Sequence, residues 1–511
     1  MLSQRLGDSC RHNTVVGALA AGVAAFLCAP AASAHGRFPL SNQIVFSPSD
    51  PNLIVARTTY GILPSRDNGT TWGFVCEEAL GLPAVGFYPD PRIGLTQTNA
   101  LVAGVYSPLV GVYADITAGL DVSVDLGCNW SCIEGPLAKQ AVIDVVVRPD
   151  RPDVVLALTS TNRSSADAGD AAVASMYASQ VFQSTDDGAQ WAQLTADLDP
   201  TVLVQTIDVA RSDPHRIYVS GTRGFGSFRS ASLFVWTEDG AGWQEHSFAA
   251  FDPLQEDSLY IGAVDPDDPN RVYVRTGAIP DGPGLSRLFV TTDGGQSFEL
   301  AKAFTVPLTP NGIITNMSEI LGFALSPDGS KVYAGSKEEG LFVANRADLA
   351  FHQTSTIAVQ CLATRGSELW ACSDAKSGFI VGASIDDGAT FASKMKTVLS
   401  VGGAIACSPN PGGPFACGAN ANASLCQQSF EMFCQTYSVT GRCEPDLVDG
   451  GAASAMDAGV AHGSSSGCGC STPGGGIARG AGGLAGAVLL VLRRRQGSKE
   501  RCSPCAAAGS P

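Results

Sequence analysis

Catalysis needs side chains that can titrate, attack or ligate, and in this 511-residue chain they are scattered. Acidic pairs stand at Asp267-Asp268 and Glu338-Glu339. Glycosidic acid–base work requires two carboxyl groups facing each other across a substrate, whereas adjacent acids on a polar turn read as solvated loop residues. Asp265-Pro266-Asp267-Asp268 could hold a structural calcium. It lacks the Gly and the distal Glu of a dedicated calcium loop, so a solvated Asp-Pro turn is the simpler reading. The six histidines, His12, His35, His215, His246, His352 and His462, each stand alone, and no zinc site with short ligand spacing emerges. Gly463-Ser464-Ser465-Ser466-Gly467 has the spacing of a nucleophile elbow, but no strand precedes it and no helix follows. No catalytic residue, metal ligand or cofactor is assigned.

The elements that would have to position any site are far more legible. One eight-residue signature recurs: Ser65-Arg66-Asp67-Asn68-Gly69-Thr70-Thr71-Trp72, then with Asp125, Gly127 and Trp130, with Asp186, Gly188 and Trp191, with Asp293, Gly295 and Phe298, and with Asp386, Gly388 and Phe391. Residues 236–243 form a weaker copy with Glu238 in the Asp place, and 344–351 a decayed one. Within a hairpin the Asp accepts turn N–H groups, the Gly supplies positive φ and the aromatic supplies apolar mass. The burial is worth about 2–3 kcal/mol and each turn hydrogen bond about 1. These Asp residues are therefore read as structural.

A second echo precedes most copies: an Asp-Pro turn leading into a β-branched run, as in Asp265-Pro266-Asp267-Asp268-Pro269-Asn270-Arg271-Val272-Tyr273-Val274. Units of about 50 residues with four short strands cannot bury both sheet faces alone and must close into a ring. With Gly 58 and Pro 29 to make turns, the expectation is an all-β, seven-bladed β-propeller of four-stranded antiparallel blades over residues 35–400. Six blades remain the alternative if 326–351 is an irregular extension.

The signature resembles the Asp-box, or BNR, repeat, Ser/Thr-x-Asp-x-Gly-x-x-Trp/Phe. Sialidases carry it together with an arginine triad, an Arg-Ile-Pro type motif and a Tyr/Glu pair. Here Gly36-Arg37-Phe38-Pro39 is a faint echo, and Arg57, Arg211, Arg223 and Arg275 are grouped by no signature. The repeat rhythm is closer to secreted xyloglucanases, which place paired acids between two propellers where this chain has one ring. It also resembles sortilin-type and photosystem II assembly-factor propellers, which bind partners without catalysis. The resemblance implies a non-catalytic surface module for a protein or polysaccharide; the alternative is a glycoside hydrolase with carboxylates on the propeller face. The insertions at 161–179 and 221–232 are candidate contact loops.

The ends read as addresses. Residues 1–34 carry Arg5 and Arg11, an apolar stretch and Ala32-Ser33-Ala34, the pattern of a signal peptide. Residues 401–445 form a Cys-rich segment, 446–467 a flexible Gly/Ala/Ser linker, and 496–511 a disordered extension. Between the last two, Cys468 and Cys470, an apolar run and Arg493-Arg494-Arg495 resemble the MYXO-CTERM sorting tail of myxobacterial surface proteins. That resemblance implies membrane anchoring through the tail, and a place at the cell surface, the outer membrane or outside the cell.

Export turns the sixteen cysteines towards disulfides. Cys361 and Cys372 flank a hairpin, Cys407 and Cys417 bracket a turn, and one of Cys76, Cys128 and Cys132 is expected to staple the first two blades. A net charge of −16 excludes nucleic acid as a partner, and the chain is expected to be a monomer.

Overall fold

The computed structural model describes residues 41–80, 82, 90–105, 119–162, 177–279, 285–305, 318–405 and 423–437. Seven antiparallel sheets follow one another along the chain, at 41–75, 92–132, 142–193, 203–247, 256–305, 320–355 and 361–395, here blades 1 to 7. Blades 2 to 7 each contain four strands in sequential order. Blade 1 has three, and Phe74 and Val75 supply the fourth through a bridge from Val75 to Ile62. The innermost strands, Ser41–Phe46, Arg92–Leu95, Val142–Val147, Leu203–Ala210, Glu256–Val264, Ile320–Leu325 and Cys361–Arg365, contact one another in order, and the last meets the first. The protein is a seven-bladed β-propeller.

Apolar side chains between neighbouring sheets form the core. The largest fully buried ones include Trp370, Tyr218, Tyr273, Phe74 and Phe304. One cluster joins blades 7, 1 and 2, with Ile54, Leu63, Trp72, Leu95, Trp130 and Trp370 among its members.

Ring closure is local and dense. After the last blade the chain lies parallel to the outer edge of blade 1: Gly402 N–H donates to Trp72 O at 2.8 Å, Phe74 N–H to Gly403 O at 2.9 Å and Ile405 N–H to Phe74 O at 3.1 Å. Helix Ala423–Tyr437 then packs on blade 1, with Phe433 stacked on Tyr60 at 4.5 Å and Phe430 against Phe74 at 5.5 Å. Cys426 of that helix is disulfide-bonded to Cys76. Of the three cysteines expected to supply a staple between the first two blades, Cys76 is thus bonded to the C-terminal helix instead. The geometry holds the outer edge of blade 1 against the returning C-terminal segment, so the bridge spans 350 residues of sequence. A boundary at residue 400 therefore cuts through the closure. Cys361 and Cys372 are bonded across the hairpin of the first two strands of blade 7, and Cys128 is also in a disulfide.

Cys407, Cys417, Cys468, Cys470, the arginines 493–495 and residues 1–34 lie outside the described residues. Among the described residues no helix is long and apolar enough to cross a membrane, and the apolar run at 480–492 is not among them.

Candidate functional site

The two rims of the ring are chemically different. One carries the recurring eight-residue signatures, here called boxes, each on the hairpin joining the third and fourth strands of its blade, together with the Asp-Pro turns that join the first and second. In blade 1 the Asp67 Oδ1 accepts the N–H of Thr70 at 3.1 Å and of Thr71 at 2.8 Å, while Oδ2 accepts the Thr71 hydroxyl at 2.6 Å. Ser65 Oγ donates to Asp67 at 2.9 Å and accepts the Gly69 N–H at 2.8 Å. Around Asp186, Asp293 and Asp386 the Ser or Thr hydroxyl likewise donates to the Asp and accepts the Gly N–H, and the N–H four residues after the Asp donates to it. At Asp125 the Ser123 hydroxyl and the Asn129 N–H make the matching bonds. These carboxylates are saturated by their own turns, and the bonds hold Asp386 down at about 2.

The two repeats share a rim because they are bonded to each other. Asn68 N–H donates to Asn52 O, Asp187 to Asp153 O and Gly294 to Asn270 O, each at 2.9–3.0 Å. The boxes are also mortar between blades. Each box Gly has positive φ and faces the preceding blade: Gly69 meets Trp370, Gly127 meets Val75, Gly188 meets Val102, Gly295 meets Leu233 and Gly388 meets Leu341. Trp72 Nε1 donates across the seam to Lys394 O at 2.9 Å. A Cβ on Gly388 would lie 2.2 Å from Leu341 Cδ2, at φ +83°. Gly388→Ala should cost about 2–4 kcal/mol, from left-handed strain and overpacking together, read as a lowered midpoint in urea.

The residue before the box Gly is also left-handed in blades 1, 2, 3, 5 and 7, at Asn68, Leu126, Asp187, Gly294 and Asp387. Two consecutive positive-φ residues make a type I′ turn, a feature that the repeat alone does not announce because Leu126 is a poor residue for it. Blade 4 replaces the network: Glu238 pairs with His215 and its N–H reaches His215 O at 3.2 Å.

The proposed calcium turn is internally occupied. Buried Asp265 accepts the N–H groups of Asp267 and Asp268 at 3.0 and 3.1 Å, and Arg346 Nε from blade 6 stands 2.9 Å from its other oxygen. Asp267 pairs with Arg211 at 3.2 Å, and Glu339 accepts the Ser318 hydroxyl at 2.8 Å. The four arginines named from sequence have separate tasks. Arg57 donates to Asp90 O and Pro91 O, Arg211 pairs with Asp267, Arg223 is clamped by Glu245, and Arg275 lies 4.4 Å over the Tyr260 ring. Among the described residues no group of three or more His, Cys, Asp or Glu is placed to hold a metal.

The opposite rim carries the connections between second and third strands and those between blades. A recess of about 370 Å³ opens there, lined by Tyr177 of blade 3, by Thr201, Leu203, Gln205, Thr222, Phe225 and Arg229 at blade 4, and by Asp257 and Ser258 of blade 5. Its walls are held. Tyr177 N–H donates to Pro200 O at 2.7 Å, Thr201 Oγ1 donates to Asp199 at 2.6 Å and accepts Arg223 Nε at 3.0 Å, and Ser258 Oγ donates to Asp257 at 2.6 Å. One lip is different: the turn after Gly224, at φ +71°, leaves Phe225 68 % and Phe228 88 % exposed. Of the two candidate insertions, 221–232 supplies this lip. For 161–179 the flanking strand ends are in place, and 163–176 lies outside the described residues.

Near the recess, at the inner ends of blades 5 and 6, Asp257 raises and Arg275 lowers the Glu319 carboxyl, whose upward shift comes first from burial. Deeper in the ring, side chains stitch the innermost strands together. Asp144 accepts the Ile207 N–H at 3.1 Å and Asp208 the Val264 N–H at 2.8 Å. Burial pushes Asp208 up to about 6 and Asp121 up to about 7. An acid whose folded pKa is raised costs stability as pH climbs from its unfolded value near 3.9 to its folded one, while one whose pKa is depressed costs stability as pH falls below that value. The melting temperature should therefore fall on both sides of about pH 4: below it through Asp386 and its counterparts, and between about 4 and 7 through Asp208 and Asp121. Asp208→Asn should flatten the part of the upper limb below about pH 6 in a melting series against pH.

No family model matches this chain, and no curated protein matches it. Among solved structures it is similar to YCF48 from Cyanidioschyzon merolae, at 15 % identity, TM-score 0.40, covering 65 % of this chain and 92 % of that one. It is similar to an ancestral GH74 enzyme at 13 % identity and TM-score 0.36, covering 71 % and 55 %. It is also similar to the GH93 α-L-arabinofuranosidase of Fusarium graminearum at 13 % identity and TM-score 0.37, covering 55 % and 87 %.

Proposed function

We propose that this propeller is an exported, non-catalytic binding module for a polysaccharide or protein at the cell surface. The observation that carries the reading is the recess on the loop rim, where Tyr177 and Phe225 stand among the hydroxyl, amide and carboxylate groups of Thr201, Thr222, Ser258, Gln205 and Asp257. A concave site with apolar walls and a few fixed polar groups is the usual form of a small-ligand pocket, and the exposed Phe225 and Phe228 offer further contact area. Two disulfides, at Cys76–Cys426 and Cys361–Cys372, are compatible with an oxidising compartment.

A second reading is supported by Asp257 and Glu319, two carboxyls close enough for one charge to act on the other. A buried acid pushed upward with a second carboxyl near it is an arrangement that glycoside hydrolysis uses. Both readings are tested by incubating the purified protein with a panel of glycans and surface proteins, scoring retention and released sugar together. Retention without release, weakened by Phe225→Ala, is the expected result. Release lost in Glu319→Gln or Asp257→Asn would replace the binding reading with the hydrolytic one.

A further inference from the structure

We infer that the rim recess selects an acidic saccharide, a chain of sugars bearing carboxylates, and that Arg229 receives the carboxylate. This rests on the binding reading above and narrows it.

Arg229 lines the recess and is half-buried. Its backbone is fixed by a hydrogen bond to Gly226 O at 3.2 Å. Its side chain has no partner among the described residues. The nearby arginine does not share that state: Arg223 is engaged by Glu245 at 2.8 Å, by Asp199 at 3.5 Å and by Thr201. An arginine that meets no acid in a concavity, on a chain of net charge −16, is a cation free to receive an anionic group. A planar guanidinium matches a carboxylate through two parallel hydrogen bonds.

The remaining lining fits the body of a sugar. Pyranose rings present apolar C–H faces and equatorial hydroxyls. Tyr177 and Phe225 supply flat apolar surface, while Gln205, Thr222, Asp257 and Ser258 supply both donors and acceptors. Asp257 is fixed by Ser258 on the blade 5 wall, so it can accept hydroxyl protons there while the carboxylate is met from the blade 4 loop. Gly224 sets the lip. A Cβ at that position would lie 2.6 Å from Phe228 O, so the turn that projects Phe225 and carries Arg229 depends on glycine.

The test is calorimetric titration of the full chain with a galacturonate oligosaccharide and with its fully methyl-esterified form, which keeps the sugar backbone and replaces each carboxylate by a neutral ester. The expected result is at least tenfold tighter binding of the acid form. Arg229→Gln should erase that preference, and Phe225→Ala should weaken both forms. Each variant is first required to melt like the parent. Equal binding of the two forms, or an acid preference that survives Arg229→Gln, overturns the inference. If Phe225→Ala still weakens binding in that case, the binding-module reading stands. Failure of both forms to bind also overturns the inference, and the binding-module reading then rests on the protein arm of the panel.

Discussion

Cys426→Ser should lower the unfolding free energy by about 5 kcal/mol, because the bridge it removes constrains an unfolded loop of more than three hundred residues. Loop-closure entropy grows with the logarithm of the enclosed length. The Cys361–Cys372 bridge, with a sequence separation of 11, should contribute about 2–3 kcal/mol. Denaturant unfolding of both serine variants under oxidising conditions gives the comparison directly. If Cys426→Ser shifted the midpoint no more than Cys372→Ser, the view that the C-terminal helix latches the ring would fail.

Glu256→Ala should cost about 3–5 kcal/mol, the usual range when one partner of a buried ion pair is removed. The Glu256 side chain is fully buried and accepts four hydrogen bonds: Arg287 Nε at 2.6 Å, Arg287 Nη2 at 2.8 Å, the Thr276 hydroxyl at 2.7 Å and the Asp252 N–H at 2.8 Å. It thereby ties the first strand of blade 5 to its second and third strands and to the linker from blade 4. The loss leaves a largely buried guanidinium without its counter-charge and the Thr276 hydroxyl proton without its acceptor. Glu256→Ala combined with Arg287→Leu should recover much of the stability, since the unpaired charge and not the missing attraction dominates the cost. A double variant as unstable as the single one would argue against that account.

The ring was legible from the sequence because its boxes obey local rules. Ser, Asp, Gly and an aromatic at fixed spacing specify a hairpin whatever lies around it, and the seven starting points locate seven blades, including the weak copy at Glu238 and the decayed one before Phe351. Cys361 and Cys372 were visible as a pair because they face each other across one hairpin. Cys426 was not, because nothing local records that a helix beyond the ring returns to blade 1. The recess was half visible. Its lip falls in the insertion at 221–232, but Tyr177, Thr201 and Asp257 come from three different blades, and only closure brings them together. Glu256 and Asp208 carried no signal, since a single acid in a β-branched run does not reveal the partner that makes its burial tolerable.

The seam at blade 1 also sets a schedule for the newborn chain. The backbone of Trp72–Val75 finds its outer partners only at residues 402–405, so while synthesis proceeds from the N-terminus the first blade waits with an open edge for more than three hundred residues. Such an edge is a template for pairing with another chain. Yield during production should therefore depend on how quickly the last segment arrives. A polypeptide stopped just short of Gly402 would carry seven well-formed blades and still aggregate.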